Sequence, residues 1–148
     1  MENSMETNYQ EALEKGWAAP VAKDTFTFGE DGKPHFVASK CTHCGTAVFP
    51  AVLRCPNCFK ADMTHTPLAT GGELKSFTVV RQGSPDWKGD VPYIIAQVTT
   101  DDGVKILTQL LGCAPEQAEI GMRVETDVRP LFNDAEDRQV LGPVFIPA

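Results

Sequence analysis

The chain has 148 residues, 42% hydrophobic and 22% charged, the balance of a folded protein of one or two domains rather than a disordered one. Twenty carboxylates against thirteen Lys and Arg leave a net charge of −7, the reverse of the basic surface that binding to phosphate backbones needs, so nucleic acid is disfavoured as a partner. The longest apolar runs, such as Tyr93-Ile94-Ile95-Ala96, are strand-sized and the polar N-terminus lacks the apolar stretch of a secretory signal, which argues against a membrane partner and for a cytoplasmic protein.

Residues 1–35 read as an N-terminal helix and linker. Met5, Tyr9, Ala12 and Leu13 recur at helical spacing across 5–16, and Gly16 stands where a C-cap belongs. A helix this short is marginal in water and needs something to pack against. The Gly-, Asp- and Pro-rich segment Gly29–Pro34 then leads into the next unit.

Residues 36–69 read as a metal ribbon. Cys41 and Cys44 form one C-x2-C pair, ten residues intervene, and Cys55 and Cys58 form a second. Each pair aims two sulfurs at one point, and two pairs complete a tetrahedron around zinc. Gly45 follows the first pair, where a residue without Cβ suits a tight turn, and Pro56 stiffens the second. With all four positions filled by protein, the metal is structural rather than catalytic; iron fits four thiolates too and stays open at this point. His43 reads as an exposed knuckle residue and the distant Cys113 as a small apolar side chain. The spacer Thr46–Leu53 is very apolar for a segment that a small ribbon can barely bury, which marks Phe49, Val52 and Leu53 as contacts for a partner. Lys40 and Arg54, basic residues beside the knuckles, are candidates to meet a cofactor's phosphate or an acidic partner surface.

Residues 70–148 read as a five-stranded barrel. Strands are expected at Glu73–Gln82, Val91–Thr99, Val104–Leu111, Arg123–Pro130 and Gln139–Ile146, with Asp101-Asp102-Gly103 as a tight hairpin and a helical turn at Ala114–Glu119. Val104, Ile106, Thr108, Leu110, Val124, Thr126, Val128, Val140, Val144 and Ile146 are assigned inward. Five strands with a short helix between the third and fourth is the layout of an OB-fold, whose loops joining strands 1–2 and 4–5 commonly bind ligands. Here these loops are Gly83–Asp90, carrying Trp87, and Leu131–Arg138, carrying Asp134, Glu136 and Asp137. Trp87 has two readings, a residue facing a ligand or partner, or one folded back onto the barrel. With its own apolar core, this barrel is expected to survive loss of the metal.

The ordered segments CTHCGTAVFPAVLRCPNC, GGELKSFTVV, VPYIIAQVTTDDGVKILTQLLG, IGMRVETDV and VFIPA resemble the DUF35 family over nearly the whole chain. That resemblance implies a mainly β protein in which a rubredoxin-like zinc ribbon precedes an OB-fold, with Cys41, Cys44, Cys55 and Cys58 on the metal. It also implies a non-catalytic accessory partner of a thiolase-fold or hydratase-fold enzyme in a hetero-oligomer. Such enzymes act on bulky acyl-CoA thioesters in degradative, β-oxidation-type pathways for steroid side chains or aromatic acids, and a CoA thioester would be shared with the partner. One departure is Met63-Thr64-His65, where many members carry an aromatic residue. The residues themselves agree on the lack of catalysis: His35, His43 and His65 stand beside no nucleophile motif, and no phosphate-cradling loop appears. A nucleic-acid module and an iron redox protein are the alternatives that the motifs alone leave standing.

Overall fold

The computed structural model describes residues 9–87 and 89–148. The expected position of Met5 lies outside them. Five long strands build the C-terminal half: β6 (Gly71–Val80), β7 (Tyr93–Thr100), β8 (Lys105–Leu110), β9 (Arg123–Asn133) and β10 (Gln139–Pro147). They pair in the cyclic order β6-β7-β8-β10-β9 and back to β6, and the β8–β10 contact is the parallel one. This closed arrangement is the OB-fold barrel expected from the alternating sequence.

Alternation dictates the interior. Ile94, Ala96 and Val98 of β7 and Ile106 and Leu110 of β8 are buried, as are Val124, Thr126 and Val128 of β9. Gly72 marks where β6 must pair with both β7 and β9. A Cβ there would lie 2.7 Å from Val98 Cγ1 and 2.9 Å from the Thr99 carbonyl oxygen, so only glycine fits this crossing. The hairpin falls where Asp101-Asp102-Gly103 requires it, with Gly103 at φ +89°. Between β8 and β9 the helical turn expected within Ala114–Glu119 is a single 3-10 turn, Pro115–Gln117.

The ribbon half has β2 (Phe26–Phe28), β3 (Pro34–Cys41), β4 (Ala47–Val48) and β5 (Met63–Pro67), following β1 (Ala18–Pro20) and the helix α1 (Tyr9–Glu14). Strand β3 is the organiser, paired antiparallel with β2, β4 and β5. Its Phe36 and Ala38, with Leu68, join Leu74, Ile94, Val124 and Phe145 in one continuous apolar cluster. Phe36 stacks on Phe145 at 5.0 Å between ring centroids. The expectation of a barrel with a private core is thereby corrected: ribbon and barrel share one core. The reason lies in β10, which is buried on both of its faces from Val140 to Phe145, whereas Ile146, expected inward, is half-buried.

The segment before residue 35 is likewise more than a helix and linker. Gly16 sits at φ +77°, with its N–H donating to the Leu13 carbonyl and that of Trp17 to the Ala12 carbonyl, the Schellman closure that a C′ glycine allows. The chain then runs into β1, which pairs parallel with the first residues of β10 and covers backbone groups that would form an open sheet edge. Tyr9, Ala12 and Leu13 pack beside Ala18, Val128 and Leu141. The helix therefore finds support within its own chain.

Candidate metal centre

Strand β3 delivers Cys41 at its end, and the turn that follows repeats itself in the second knuckle. In the first, the Cys41 N–H donates to the Thr46 carbonyl and the Gly45 N–H to the Cys41 carbonyl; in the second, the Cys55 N–H donates to Lys60 and the Phe59 N–H to Cys55, all at 2.8–2.9 Å. Residue five of each turn takes a left-handed backbone, Gly45 at φ +81° and Phe59 at φ +66°. The two turns bring all four Sγ atoms within 4.8 Å of one another. Cys41–Cys58 and Cys44–Cys55 stand 3.6 Å apart, close to the edge of about 3.8 Å in a regular tetrahedron with 2.3 Å metal–sulfur bonds.

Amide donors converge on this cluster. The Cys44 and Asn57 N–H groups point at the sulfurs of Cys41 and Cys55, each at 3.4 Å, and Asn57 Nδ2 reaches Cys44 Sγ at 3.6 Å. The Thr46 hydroxyl lies 3.2 Å from Cys44 Sγ and draws that thiol down to about 5, while the Cys58 backbone lowers Cys55. Cys58 goes the other way, pushed up to about 12: the Lys60 backbone amide favours its thiolate, but burial and the neighbouring thiols outweigh that. Four touching sulfurs cannot all ionise unless a cation balances them, and a divalent ion does so. The donor set, its spacing and its amide shell fit a structural zinc with no open coordination position.

The other residues expected at a site fall in three places. Lys40 and Arg54 each precede a ligand cysteine and are exposed, but Arg54 is engaged, its guanidinium donating to the Phe59 carbonyl at 2.6 Å. In the spacer, Leu53 is 87% and Val52 38% exposed. Phe49 departs from the expectation of an outward contact: it is half-buried, edge-on to Phe36 at 5.2 Å and packed against the shared core. The cause is the buried Ser39, whose Oγ donates to the Val52 carbonyl and accepts the Val52 N–H, drawing the spacer down onto β3.

Trp87 lies apart from the ribbon, on the barrel. It folds back onto the barrel and also lines a cavity there, so its two readings do not exclude each other. The indole stacks on Tyr93 at 4.6 Å and its Nε1 donates to the Asp90 carbonyl. Gly83 and Gly89 let the loop close on the ring, since a Cβ at either would come within 2.7 Å of it. Beside it lies a cavity of about 300 Å³, also lined by Cys113, Pro115 and Leu131. Burial pushes the Cys113 thiol up, which makes it a poor nucleophile. The carboxylates of the second loop are knit into it: Asp134 binds Arg138 at 2.9 Å and caps the Glu136 and Arg138 amides.

Two residues escaped the sequence reading. Ser39 carries no motif. Phe59 occupies the position of Gly45 when the two C-x2-C turns are superposed in sequence, and an aromatic where its twin has glycine was the available signal.

A four-cysteine ribbon packed on a closed five-stranded barrel defines a class of zinc-ribbon and OB-fold proteins. Comparison of families makes it specific: the rubredoxin-like zinc ribbon domain of ChsH2 matches residues 32–64, and the C-terminal OB-fold domain of ChsH2 matches residues 65–129. The chain belongs to the DUF35 family. It is 32% identical over 102 residues to a DUF35 domain-containing scaffold protein of Methanocaldococcus jannaschii, covering 68% of this chain and 72% of that one. It is 30% identical over 99 residues to the benzoylsuccinyl-CoA thiolase subunit BbsA of Thauera aromatica, covering 66% and 67%. The solved Ltp2-ChsH2(DUF35) aldolase aligns with a TM-score of 0.63 at 31% identity, covering 76% of this chain and 84% of that one. Among the described residues no helix is long and apolar enough to cross a membrane.

Proposed function

We propose that this chain is a non-catalytic accessory subunit of a thiolase-fold enzyme that acts on bulky acyl-CoA thioesters in a degradative, β-oxidation-type pathway. The observation that carries the reading is its likeness, across ribbon and barrel together, to a protein named as a subunit of benzoylsuccinyl-CoA thiolase. The chemistry of the chain supports it. The metal cluster has no position for substrate, Cys113 is held as a thiol, and the charged groups at the barrel mouth are tied into their own loop. What the chain offers a partner is surface: Val52 and Leu53 on the spacer with Phe49 beneath them, and Trp87 apart from these on the barrel. Of the pair Lys40 and Arg54, expected to meet a CoA phosphate or an acidic partner surface, Lys40 meets no carboxylate among the described residues, while Arg54 is engaged with the Phe59 carbonyl. In this role the subunit assists assembly and helps enclose the CoA and acyl groups at the enzyme's active site.

The test is co-purification of the tagged chain from its native host, with the bound proteins identified by mass spectrometry. A thiolase-fold enzyme at fixed stoichiometry is the expected result, with acyl-CoA turnover by the complex and none by this chain alone. A stable monomer that recruits no acyl-CoA enzyme, or turnover by the isolated chain, overturns the reading.

A further inference from the structure

Charge is divided unevenly along this sequence. The thirty residues 32–61 hold Lys33, Lys40, Arg54 and Lys60 and no carboxylate, a charge of +4, while the other 118 residues carry −11, together the −7 of the whole chain. Outside this stretch Lys15, Lys75, Arg123, Arg129 and Arg138, five of nine cations, each meet a carboxylate. Among the described residues no ion pair reaches the four cations of the ribbon.

The same stretch exposes two large apolar side chains close together in the chain. Leu53 is 87% and Phe59 69% exposed, and neither lines the larger cavities. They project into solvent from either side of the Cys55–Cys58 pair. Phe59 does so in a left-handed backbone, a conformation that costs an aromatic residue and that glycine adopts freely. The first knuckle uses glycine at the same place. Packing within the chain does not explain an exposed phenyl ring in a strained conformation, whereas contact with another molecule does. Arg54 joins the two apolar residues, following Leu53 in the chain and gripping the Phe59 carbonyl, and the four sulfur ligands fix the turn that carries both.

We infer that the second knuckle is a docking knob: Leu53 and Phe59, flanked by Arg54 and Lys60 and with Lys40 one residue from Cys41, enter an apolar pocket rimmed by carboxylates on the thiolase-fold enzyme. The inference rests on the accessory-subunit reading and gives it a place on the surface. Side chains that project into solvent argue against a small ligand here, because nucleotides and acyl chains are held in concavities. The carboxylate-free stretch 32–61, whose cations meet no carboxylate among the described residues, selects an acidic rim, which also guides encounter and rejects basic surfaces.

The experiment uses the thiolase-fold enzyme recovered with the tagged chain, titrated by calorimetry with the full-length, zinc-loaded chain and its variants. Phe59→Gly and Leu53→Ser should each weaken binding about tenfold or more, as central anchors do, while zinc content stays stoichiometric and the melting temperature of Phe59→Gly does not fall. Lys60→Glu should weaken binding and flatten its dependence on salt. Ile120→Ser, equally exposed but on the barrel, should bind as the unaltered chain does. Unchanged affinity in Phe59→Gly and Leu53→Ser with an intact complex overturns the knob and leaves the accessory role standing. Absence of any complex with the unaltered chain overturns the accessory role itself. A self-associated chain dispersed by these substitutions, with enzyme binding unaffected, overturns the enzyme as occupant in favour of a second copy's acidic barrel.

Discussion

The two knuckles share one backbone and differ in what they carry. Both close with the same pair of hydrogen bonds, and both need a left-handed residue after the second cysteine. The first satisfies that need with Gly45 and continues from β3, whose Phe36 and Ala38 lie in the shared core. The second satisfies it with Phe59 and projects its apolar residues outward. The turn is thus set by amide geometry and four sulfurs, and the side chains on it are free to be chosen for other work. One knuckle is anchored by the fold; the other is held by the metal and by the spacer's contacts at Phe49 and Val52.

The metal is common to both, so its loss should erase the difference between them. Zinc at such a site contributes on the order of 10 kcal/mol of folding free energy, comparable to the whole stability of a domain. Cys41→Ser in the first knuckle and Cys55→Ser in the second should both abolish stoichiometric zinc, read by elemental analysis. Because ribbon and barrel share a core, each should also lower the temperature of a single thermal transition. Survival of a native-like barrel transition in either variant would divide what the structure unites.

Anchoring can be weakened without touching the metal. Phe36→Ala removes a fully buried ring wedged between Phe49 and Phe145, and should cost about 3–5 kcal/mol in denaturant unfolding. Combined with Phe145→Ala the losses should fall short of additive, since the two rings meet. Additive losses would place the two rings in separate cores.

A smaller effect is expected at the contact that holds the spacer. Ser39→Ala leaves the Val52 N–H and carbonyl without their buried partner, at about 1–3 kcal/mol. Amide exchange should quicken at Val52 and in the second knuckle before the first. Equal quickening in both would show that the spacer contact does not distinguish them.

How far these features were legible follows from the range of the interactions that set them. The four ligands could be read because their spacing is local, and the barrel strands because a closed sheet forces period-two alternation, as in Val104, Ile106 and Leu110. The three-residue strands β1 and β2 could not, because each exists through its pairing with β10 or β3 far along the chain. The inward turn of Phe49 depends on Ser39 thirteen residues from Val52, a contact without a motif. The DUF35 resemblance named the kind of partner but not the face it meets. Phe59 shows why: an exposed aromatic is unremarkable in sequence until its backbone conformation is known.

The finest comparison is between the two left-handed positions themselves. A Cβ at Gly45 meets nothing within 4 Å, so Gly45→Ala would add only the conformational penalty of a side chain at φ +81°, about 1 kcal/mol. Phe59→Gly should relieve a penalty of the same kind, offset in part by the greater freedom that glycine gives the unfolded chain, about 0.5–1 kcal/mol. The pair should therefore differ in sign or nearly so: the first lowers the denaturation midpoint, and the second leaves it level or raises it. Arg54 gives the measurement a control, because its bond is to the Phe59 carbonyl rather than the ring and persists when the ring is gone. Chemical denaturation of the zinc-loaded proteins reads both variants on one scale. Should Phe59→Gly prove as damaging as Gly45→Ala, the phenyl ring would be supporting its own knuckle, and the two turns would differ in packing rather than in what they present to a partner.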